Sequence, residues 1–426
     1  MTPNTQTPNA LPNANPAPVD RAKQLAATLL SERGEASGAQ IARELRDVLH
    51  VLDADGRHGF QRYLATGFQP DEAALRAAAQ RYLAEPTAEA AAALAVAADP
   101  PRQELLRRMN IAPGGAGALI AMRAELTARL QGEPALKPLD ADLRHLFASW
   151  FNRGFLELRR IDWQSPAAVL EKLIAYEAVH EIKGWDDLRR RLAPDRRCFA
   201  FFHPVLPGEP LIFVEVALVR GLASAMPPLL SREMDEEVAR AEAARADSAI
   251  FYSISNCQAG LRGVSFGNFL IKQVVEELRA EFPGLQRFST LSPVPGFRRW
   301  LMPRLAAGDE ADTALLSELE RDGWWLDPAR SEALRPALMR LCAEYLTRRP
   351  SPGSRIDPVA RFHLGNGARL ERINWLGDTT PRGIQESFGA MVNYLYDHDS
   401  IEANHEAFAH DGTTVRSPDV DALLET

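Results

Sequence analysis

The chain has 426 residues, which is longer than one typical domain and predicts about two or three. Hydrophobic residues make up 46% of the sequence and charged residues 25%, a composition typical of a globular protein that buries a full core. The formal net charge of −8 argues against nucleic acid as the main partner, because neutralising phosphates requires a basic face.

The cysteines and the N-terminal segment indicate the compartment. Cys198, Cys257 and Cys342 lie far apart and form no CxxC pair, so neither a disulfide framework nor a zinc knuckle is predicted. No run of about eighteen apolar residues could span a membrane. Residues 1–20 contain no Lys or Arg and are rich in Pro, Asn and Thr, which predicts a disordered tail and no targeting peptide. We therefore expect a cytoplasmic protein without a membrane partner.

The first half of the chain predicts helices. Residues 21–133 are rich in Ala, Leu, Arg and Glu with apolar residues at helical spacing, and residues 136–192 add two or three helices, including LDADLRHLFASWFNRGFLELRRI. We predict a helical domain over residues 21–194. An Ala-rich bundle is its simplest interpretation, a groove for an acyl carrier or partner is the alternative, and a self-association surface is compatible with both.

After Pro194 the pattern changes to short aromatic and β-branched runs. CFAFFHP and PLIFVEVALV are separated by a turn signal, LPGE, and predict paired antiparallel strands. RFHLGNGARLERINW predicts two short strands around residues 365–367, and Gly389 to Tyr396 a last strand. Strands mixed irregularly with helices favour an α+β fold with a mixed sheet flanked by helices.

A strand, a glycine loop, a helix and a second strand follow one another over residues 249–297. The first strand is the apolar run from Ala249 to Ser255, and the second ends at Leu291-Ser292-Pro293. Glycines between a strand and a helix let backbone N–H groups point outward, and the helix dipole adds partial positive charge there. The loop is therefore a predicted anion site.

Four stretches in this half resemble, in order, the sequence blocks of the malonyl-CoA decarboxylase family. They are RCFAFFHPVLPGEPLIFVEVAL, FYSISNCQAGLRGVSFGNFLIKQVVEEL, FSTLSPVPGF and RFHLGNGARLERINWLGDTTPRGIQESFGAMVNYLY. The resemblance implies a helical N-terminal domain and, over residues 195–426, a catalytic domain of the GNAT acyltransferase fold. It also implies conversion of malonyl-CoA to acetyl-CoA and CO2, within fatty acid metabolism, by a carboxy-lyase.

The glycine loop resembles the Gln/Arg-x-x-Gly-x-Gly loop with which acyltransferases of that fold hold the pyrophosphate of coenzyme A. Gly263 meets the second glycine position, whereas Leu261 stands at the first and Gly260 falls one residue early. The stretch from Gly263 to Gly267 also matches the nucleophile-elbow pattern G-x-S-x-G, which leaves a serine-hydrolase reading of Ser265 as a minor alternative. The predicted coenzyme A contacts are Ser255, Gln258, Gly260, Leu261, Arg262, Gly263, Val264 and Ser265.

The candidate catalytic residues are His363 and Ser292. His363 alternates with apolar neighbours on a predicted strand, where a hydrogen-bonded core histidine is the simple interpretation. A histidine with a pKa near neutrality suits the protonation of carbon, and the family resemblance places its catalytic histidine in this block. Ser292 matches the family's likely catalytic serine, Ser289 is the second candidate, and a Ser-Pro at a strand end is otherwise a common turn.

Decarboxylation of a malonyl thioester predicts no separate cofactor. The thioester accepts the electrons released with CO2, so biotin, pyridoxal phosphate and thiamine are not required. His405 and His410 are five residues apart, which does not give a shared helical face for zinc, and no metal is expected. Two other functions stay open: an N-acyltransferase of the same fold and a non-catalytic acyl-CoA-binding regulator. The expected partners are malonyl-CoA, acetyl-CoA and a second copy bound through the helical domain.

Overall fold

A computed structural model describes residues 17–177, 179–231, 235–264, 270–348 and 356–425. Most of the predicted N-terminal tail therefore lies outside the described residues. Contacts divide the chain into two compact units, one helical and one built on a sheet. The helical unit holds the chain up to Asn152, the short segment Pro204–Leu206 and the described part of the glycine loop, residues 258–264.

The helical unit is an assembly of amphipathic helices. Side-chain caps start several of them: Asp53 and Asp71 each accept a hydrogen bond from the backbone N–H three residues on, at 2.7 Å, which satisfies a donor that the helix leaves unpaired. The helices are α1 Pro18–Leu29, α2 Glu32–Val51, α3 Ala54–Gly67, α4 Glu72–Ala84, α5 Ala88–Ala98, α6 Pro101–Asn110, α7 Gly115–Arg129 and α8 Lys137–Trp150. The predicted helical character of the N-terminal region is confirmed.

The second unit is a mixed sheet in the order β1-β2-β3-β4-β5-β8-β6, with β7 paired to β8. Within it β4 and β5 run parallel and the other pairs are antiparallel. The strands are β1 Glu157–Ile161, β2 Arg196–Phe202, β3 Pro210–Val219, β4 Ser248–Asn256, β5 Arg287–Thr290, β6 Ser292–Pro293, β7 Arg369–Asn374 and β8 Met391–Leu395. The predicted α+β class and mixed sheet are confirmed.

Helices cover the sheet. They are α9 Ala167–Tyr176, α10 Trp185–Arg191, α11 Met226–Leu230, α12 Glu236–Ala244, α13 Leu270–Glu281, α14 Phe297–Ala306, α15 Glu310–Leu319, α16 Pro328–Thr347, α17 Pro358–Gly365, α18 Pro381–Ser387, α19 Ile401–Asp411 and α20 Pro418–Glu425. Leu170 and Leu188 pack with Phe213 in one core cluster, and Met226 packs with Ile250 in another. None of the helices in the described ranges is long and apolar enough to cross a membrane.

The predicted strand, loop, helix and strand are all present. The strands β4 and β5 pair from Ser248 opposite Arg287 to Phe251 opposite Thr290. Beyond Phe251, β4 continues to Asn256 with pairing to β3 on its other side. The ladder between the two parallel strands therefore ends halfway along β4, so the far half of β4 has an edge that β5 does not cover.

Two predicted elements are wrong. Residues 157–161, read as part of a helix, form β1, because ELRRI pairs with β2 as a charged edge strand. The units consequently divide near residue 152, upstream of the boundary predicted near residue 194. His363, placed on a strand, lies in helix α17: Asp357 and Pro358 form an N-cap and a first-turn proline, a helix-start signal that outweighs the short apolar run.

Candidate active site

A serine hydroxyl and an imidazole meet at the centre of the second unit. Ser292 Oγ lies 3.1 Å from His363 Nε2. Ser292 opens the two-residue strand β6, one residue after the end of β5, while His363 projects from α17. On that helix Ala360, His363 and Leu364 are the buried positions, at the i, i+3 and i+4 spacing of one helical face. The two candidate catalytic residues, 71 positions apart, are thus brought together.

One carboxylate ties both segments in place. Asp357 Oδ1 accepts hydrogen bonds from the backbone N–H groups of Val359 at 2.9 Å and Ala360 at 3.2 Å, which caps α17. Its Oδ2 accepts from the backbone N–H of Gly296 at 3.0 Å and from the Tyr345 hydroxyl at 3.3 Å. The helix that carries the imidazole and the turn that follows Ser292 are therefore joined through a single side chain.

Two tyrosines, one in β8 and one directly after it, contact the imidazole. The Tyr396 hydroxyl lies 2.7 Å from His363 Nδ1, and the Tyr394 ring stacks on the imidazole with centroids 4.8 Å apart. Tyr394 and Tyr396 are two positions apart, so they lie on the same side of the chain as it leaves β8. Both ring nitrogens of His363 consequently have a hydroxyl within hydrogen-bond distance.

Burial determines the protonation state of the His363 imidazole. The His363 side chain is 3% exposed, and its burial lowers its pKa from 6.5 to about 3 because desolvation disfavours the imidazolium. Burial likewise raises the pKa of Tyr396 well above its usual value. The ring and the hydroxyl are therefore both neutral at pH 7. This differs from the near-neutral pKa expected for a general acid from sequence.

The second candidate serine has a different environment. The Ser289 hydroxyl donates to the backbone carbonyl of Tyr394 at 3.1 Å, across the β5–β8 pair, and is completely buried. Asn393, on the neighbouring strand β8, donates to the carbonyls of Thr290 and Ala223 at 2.6 and 3.0 Å. Both side chains therefore donate hydrogen bonds to backbone carbonyls.

The glycine loop has both buried and exposed residues. Gly260, Leu261 and Val264 are buried, whereas Arg262 and Gly263 are exposed. Gly263 has φ +76° with open space around its α-carbon, a left-handed conformation that a side chain would strain. Glycine is required there by the backbone, and it presents an uncovered peptide to solvent.

The remaining predicted coenzyme A contacts are only partly placed. Ser265 lies outside the described residues, and with it the nucleophile-elbow alternative. Ser255 is buried near the end of β4, with its hydroxyl 3.4 Å from Glu177 Oε2. Gln258 is half-buried at the start of the loop. Within the described ranges, no group of three or more His, Cys, Asp or Glu side chains is arranged to hold a metal ion.

Tyr396 and Asp357 are functional candidates that the sequence reasoning missed. The alternation of two tyrosines at a strand end was a usable signal for a polar pocket, since period-two residues share one face. The Asp-Pro pair before RFHL was a usable helix-start signal. The tyrosine signal does not identify the imidazole as the partner of Tyr396, because that contact spans 33 residues of chain.

The sequence matches two family descriptions in order. They are "Malonyl-CoA decarboxylase N-terminal domain" over residues 68–151 and "Malonyl-CoA decarboxylase C-terminal domain" over residues 154–426. Crystal structures of malonyl-CoA decarboxylase from Rhodopseudomonas palustris and Agrobacterium vitis are 49% and 50% identical to the chain, with TM-scores of 0.88 and 0.86. These matches cover 96% and 95% of this chain and 100% and 99% of those chains.

A curated relative is the mitochondrial malonyl-CoA decarboxylase of Anser anser anser. It is 39% identical over 336 residues, which are 72% of this chain. The match spans 66% of that relative's length. The chain thus corresponds to about two thirds of the goose protein and to essentially all of the two bacterial structures.

Proposed function

The chain belongs to the malonyl-CoA decarboxylase family, and from that premise we propose that it converts malonyl-CoA to acetyl-CoA and CO2. The observation that supports the proposal most directly is the buried contact between Ser292 Oγ and His363 Nε2, at 3.1 Å. Decarboxylation of a β-carbonyl acid needs a group that stabilises an enolate and a group that returns a proton to carbon. A hydroxyl and an imidazole side by side supply both.

The chemistry is carried by the substrate's own thioester. The bond between the α-carbon and the carboxylate breaks, its electron pair moves into the thioester carbonyl as an enolate, and a proton then forms the new C–H bond. One proton is consumed for each CO2 released. We propose that no cofactor beyond the coenzyme A of the substrate takes part, since the thioester is already an electron sink.

His363 is the proposed proton donor, charged by the substrate itself. The ring is neutral in the free protein because burial lowers its pKa to about 3. A malonyl carboxylate beside it raises that pKa, since an opposite charge favours the imidazolium. The imidazolium then protonates the enolate carbon and returns to the neutral form. Ser292 donates its O–H to the substrate's carboxylate or to the thioester oxygen.

Tyr396 is the proposed positioning group for that proton. Its hydroxyl lies 2.7 Å from His363 Nδ1 and can accept the Nδ1–H of an imidazolium. The other N–H, at Nε2, is then directed toward Ser292 and the substrate. The raised pKa of Tyr396 keeps its own proton in place, so the hydroxyl orients the ring without becoming charged.

Coenzyme A recognition is assigned to the glycine loop. Exposed backbone at Gly263 and the exposed side chain of Arg262 are suited to a pyrophosphate, through N–H donors and a guanidinium.

One assay tests this function. The purified chain is incubated with malonyl-CoA alone, without added cofactor, and acetyl-CoA is followed by mass spectrometry. We expect one acetyl-CoA for each malonyl-CoA consumed. An N-acyltransferase instead consumes acetyl-CoA only when an amine acceptor is supplied, and a regulator binds the thioester without releasing CO2. Either of those results would exclude the decarboxylase.

We further propose that two copies associate through the hairpin of α4 and α5. The described residues of α4 include no buried position, and α5 buries only Ala90 although its sequence is AEAAAALAVAA. Leu83 and Val96 are 81% and 77% exposed. Exposed apolar side chains on neighbouring helices are typical of protein interfaces, and a second copy of the same face is a matching partner.

Sedimentation of the full chain tests the self-association. We expect a dimer or larger species that the double change Leu83→Lys and Val96→Lys shifts toward monomer. Val238→Lys, at a position 51% exposed on α12, is the matched control and should leave the assembly intact. A monomeric wild type, or an assembly insensitive to the double change, would contradict the proposal. The cytoplasmic location stays a prediction.

A further inference from the structure

A buried arginine of the helical unit holds the glycine loop. Arg123, on α7, is 3% exposed. Its Nη1 donates to the backbone carbonyl of Gly260 at 2.6 Å and to that of Arg262 at 3.0 Å. These contacts span 137 and 139 residues of sequence. A single guanidinium nitrogen therefore fixes two carbonyls of the loop.

The guanidinium is itself fixed by a carboxylate. Arg123 Nε donates to Asp140 Oδ1 on α8 at 2.7 Å, and both side chains are largely buried. Paired charges of this kind are tolerated in a protein interior, whereas an unpaired charge is strongly unfavourable. Asp140 thus holds the Arg123 side chain in the orientation that reaches the loop.

The loop also packs closely on α7. Gly260 sits against the backbone carbonyl of Ile120, and a β-carbon at this glycine would collide with that carbonyl. The 3-10 turn Ala259–Leu261 lies along the helix at this point. Glycine is therefore needed at position 260 for close approach to α7, a role distinct from the left-handed turn at Gly263.

The orientation of the two carbonyls determines where the next amides point. In a trans peptide the carbonyl of one residue and the N–H of the following residue point in opposite directions. With the Arg262 carbonyl directed to Arg123, the Gly263 N–H is directed away from α7, on the exposed side of the loop. That N–H is the type of donor that binds a phosphate oxygen.

We infer that Arg123 is a positioning residue for the phosphates of coenzyme A: it holds the carbonyl side of the loop so that the amide side faces the ligand. The inference rests on the proposed function only in taking the loop as the phosphate site. It gives the helical unit a part in substrate binding, as the support of the glycine loop. The loop's own residues contact the ligand, and Arg123 acts through them.

The same unit contains a matched control. Arg102 is also buried, pairs with Asp142 at 2.6 Å from its Nε, and donates to the backbone carbonyl of Ala65 at 3.0 Å. It thus has the same carboxylate partner type and the same carbonyl contact as Arg123. Its carbonyl partner lies in helix α3 instead of the glycine loop, so Arg102→Ala reports the structural cost alone.

The experiment compares ligands with and without the pyrophosphate. Calorimetry gives the dissociation constants of coenzyme A and pantetheine for the wild type, Arg123→Ala and Arg102→Ala, with thermal unfolding as a check on folding. For coenzyme A we expect Arg123→Ala to raise the dissociation constant at least about tenfold, the lower range for loss of a supporting contact. Pantetheine, which has no phosphate, should bind all three proteins alike. Activity, where present, is compared as kcat/KM for malonyl-CoA and malonyl-pantetheine.

Three results would overturn the inference. They are unchanged coenzyme A affinity in Arg123→Ala, an equal loss for both ligands, and an equal loss in Arg102→Ala. If Arg123→Ala fails to fold, Arg123→Lys replaces it; lysine keeps the charge but not the forked geometry, and the same ligand selectivity is required. A wild type that binds coenzyme A without decarboxylating malonyl-CoA refutes the proposed activity, while the binding comparison still decides the role of Arg123.

Discussion

The pair Ser292–His363 and the glycine loop differ in the chemical groups that they present. The pair presents side chains in a buried setting, where burial removes the charge of the imidazole and a hydroxyl lies next to each ring nitrogen. The loop presents backbone groups. Gly263 is exposed, and Arg123 donates a hydrogen bond to the backbone carbonyl of the preceding residue, Arg262. The proposed chemistry depends on the groups that surround the reactive imidazole. The proposed binding depends on the side chain that supports the unreactive glycine loop.

Substitutions in the two regions should therefore reduce function in different ways. Changes around the pair alter how fast bound substrate reacts, because they remove a proton donor or an enolate contact. Changes in or behind the loop alter how tightly the nucleotide end is held, and leave the reacting atoms untouched.

The largest effect is expected from removing the imidazole. His363→Ala should lower kcat by about 100-fold to 10,000-fold, the range for loss of a general acid, with a much smaller change in KM. Steady-state kinetics with malonyl-CoA measure both. His410→Ala, at an exposed position of α19, serves as the control and should behave as wild type. A His363→Ala protein with near-normal kcat would rule out the proton-donor role.

The two candidate serines are separated by the next change. Ser292→Ala should lower kcat by about 100-fold to 1,000-fold, as for a lost donor to a developing oxyanion. Ser289→Ala removes hydrogen bonds to the backbone carbonyls of Tyr394 and Thr290 and should reduce the melting temperature more than the rate. The reverse ranking of the two variants would transfer the catalytic assignment to Ser289.

Protonation of His363 should also affect stability. Its pKa is 6.5 when unfolded and about 3 when folded, so the unfolded chain binds the proton first and stability falls as pH drops below 6.5. At pH 4 the contribution is a loss of about 3 kcal/mol in the free energy of unfolding. Urea unfolding from pH 7 to pH 4 measures it. His363→Asn should flatten this dependence, and an unchanged slope would show that the ring is not held neutral.

A smaller kinetic effect is expected at the tyrosine that orients the ring. Tyr396→Phe should lower kcat by about tenfold, since one hydrogen bond to a charged group is worth roughly 1.5 kcal/mol or more. Tyr394→Phe is the matched control: it keeps the stack on His363, and within the described residues the Tyr394 hydroxyl has no hydrogen-bond partner. Equal losses in both variants would point to packing in place of orientation.

The smallest effect concerns the loop. Gly263→Ala and Gly208→Ala place a side chain at similar φ values, +76° and +71°, with open space around each. Both should cost about 1–2 kcal/mol of stability from strain, yet only Gly263→Ala should raise KM for malonyl-CoA, by a few fold to about tenfold. A lowered kcat with unchanged KM in Gly263→Ala would contradict the division between the two regions.

Sequence predicted the parts of this arrangement whose signals are local. The run from Ala249 through the glycines to Pro293 has the spacing of a strand, loop, helix and strand, and the structure has all four. The sequence predicts a strand for the segment carrying His363, whereas the structure has a helix, because a short apolar run fits either element and the Asp-Pro pair is a helix-start signal. The type of side chain at position 363 still indicates its chemistry, because that chemistry does not depend on whether the residue lies in a helix or a strand.

The supports could not be predicted in the same way. Tyr396 meets His363 across 33 residues and Arg123 meets Gly260 across 137, distances over which no periodicity carries information. An arginine in an Ala-rich helix is most often a solvated residue, and only the folded chain shows this one buried against loop carbonyls. Buried charge placement depends on tertiary packing, so it appears only with the structure.

The Asp357 carboxylate has one more implication. One oxygen accepts hydrogen bonds from the first turn of α17 and the other accepts from the Gly296 amide. A thermal displacement of the helix should therefore also displace the neighbouring turn. The imidazole and the hydroxyl should therefore drift in concert, and their mutual spacing should fluctuate less than the position of either one.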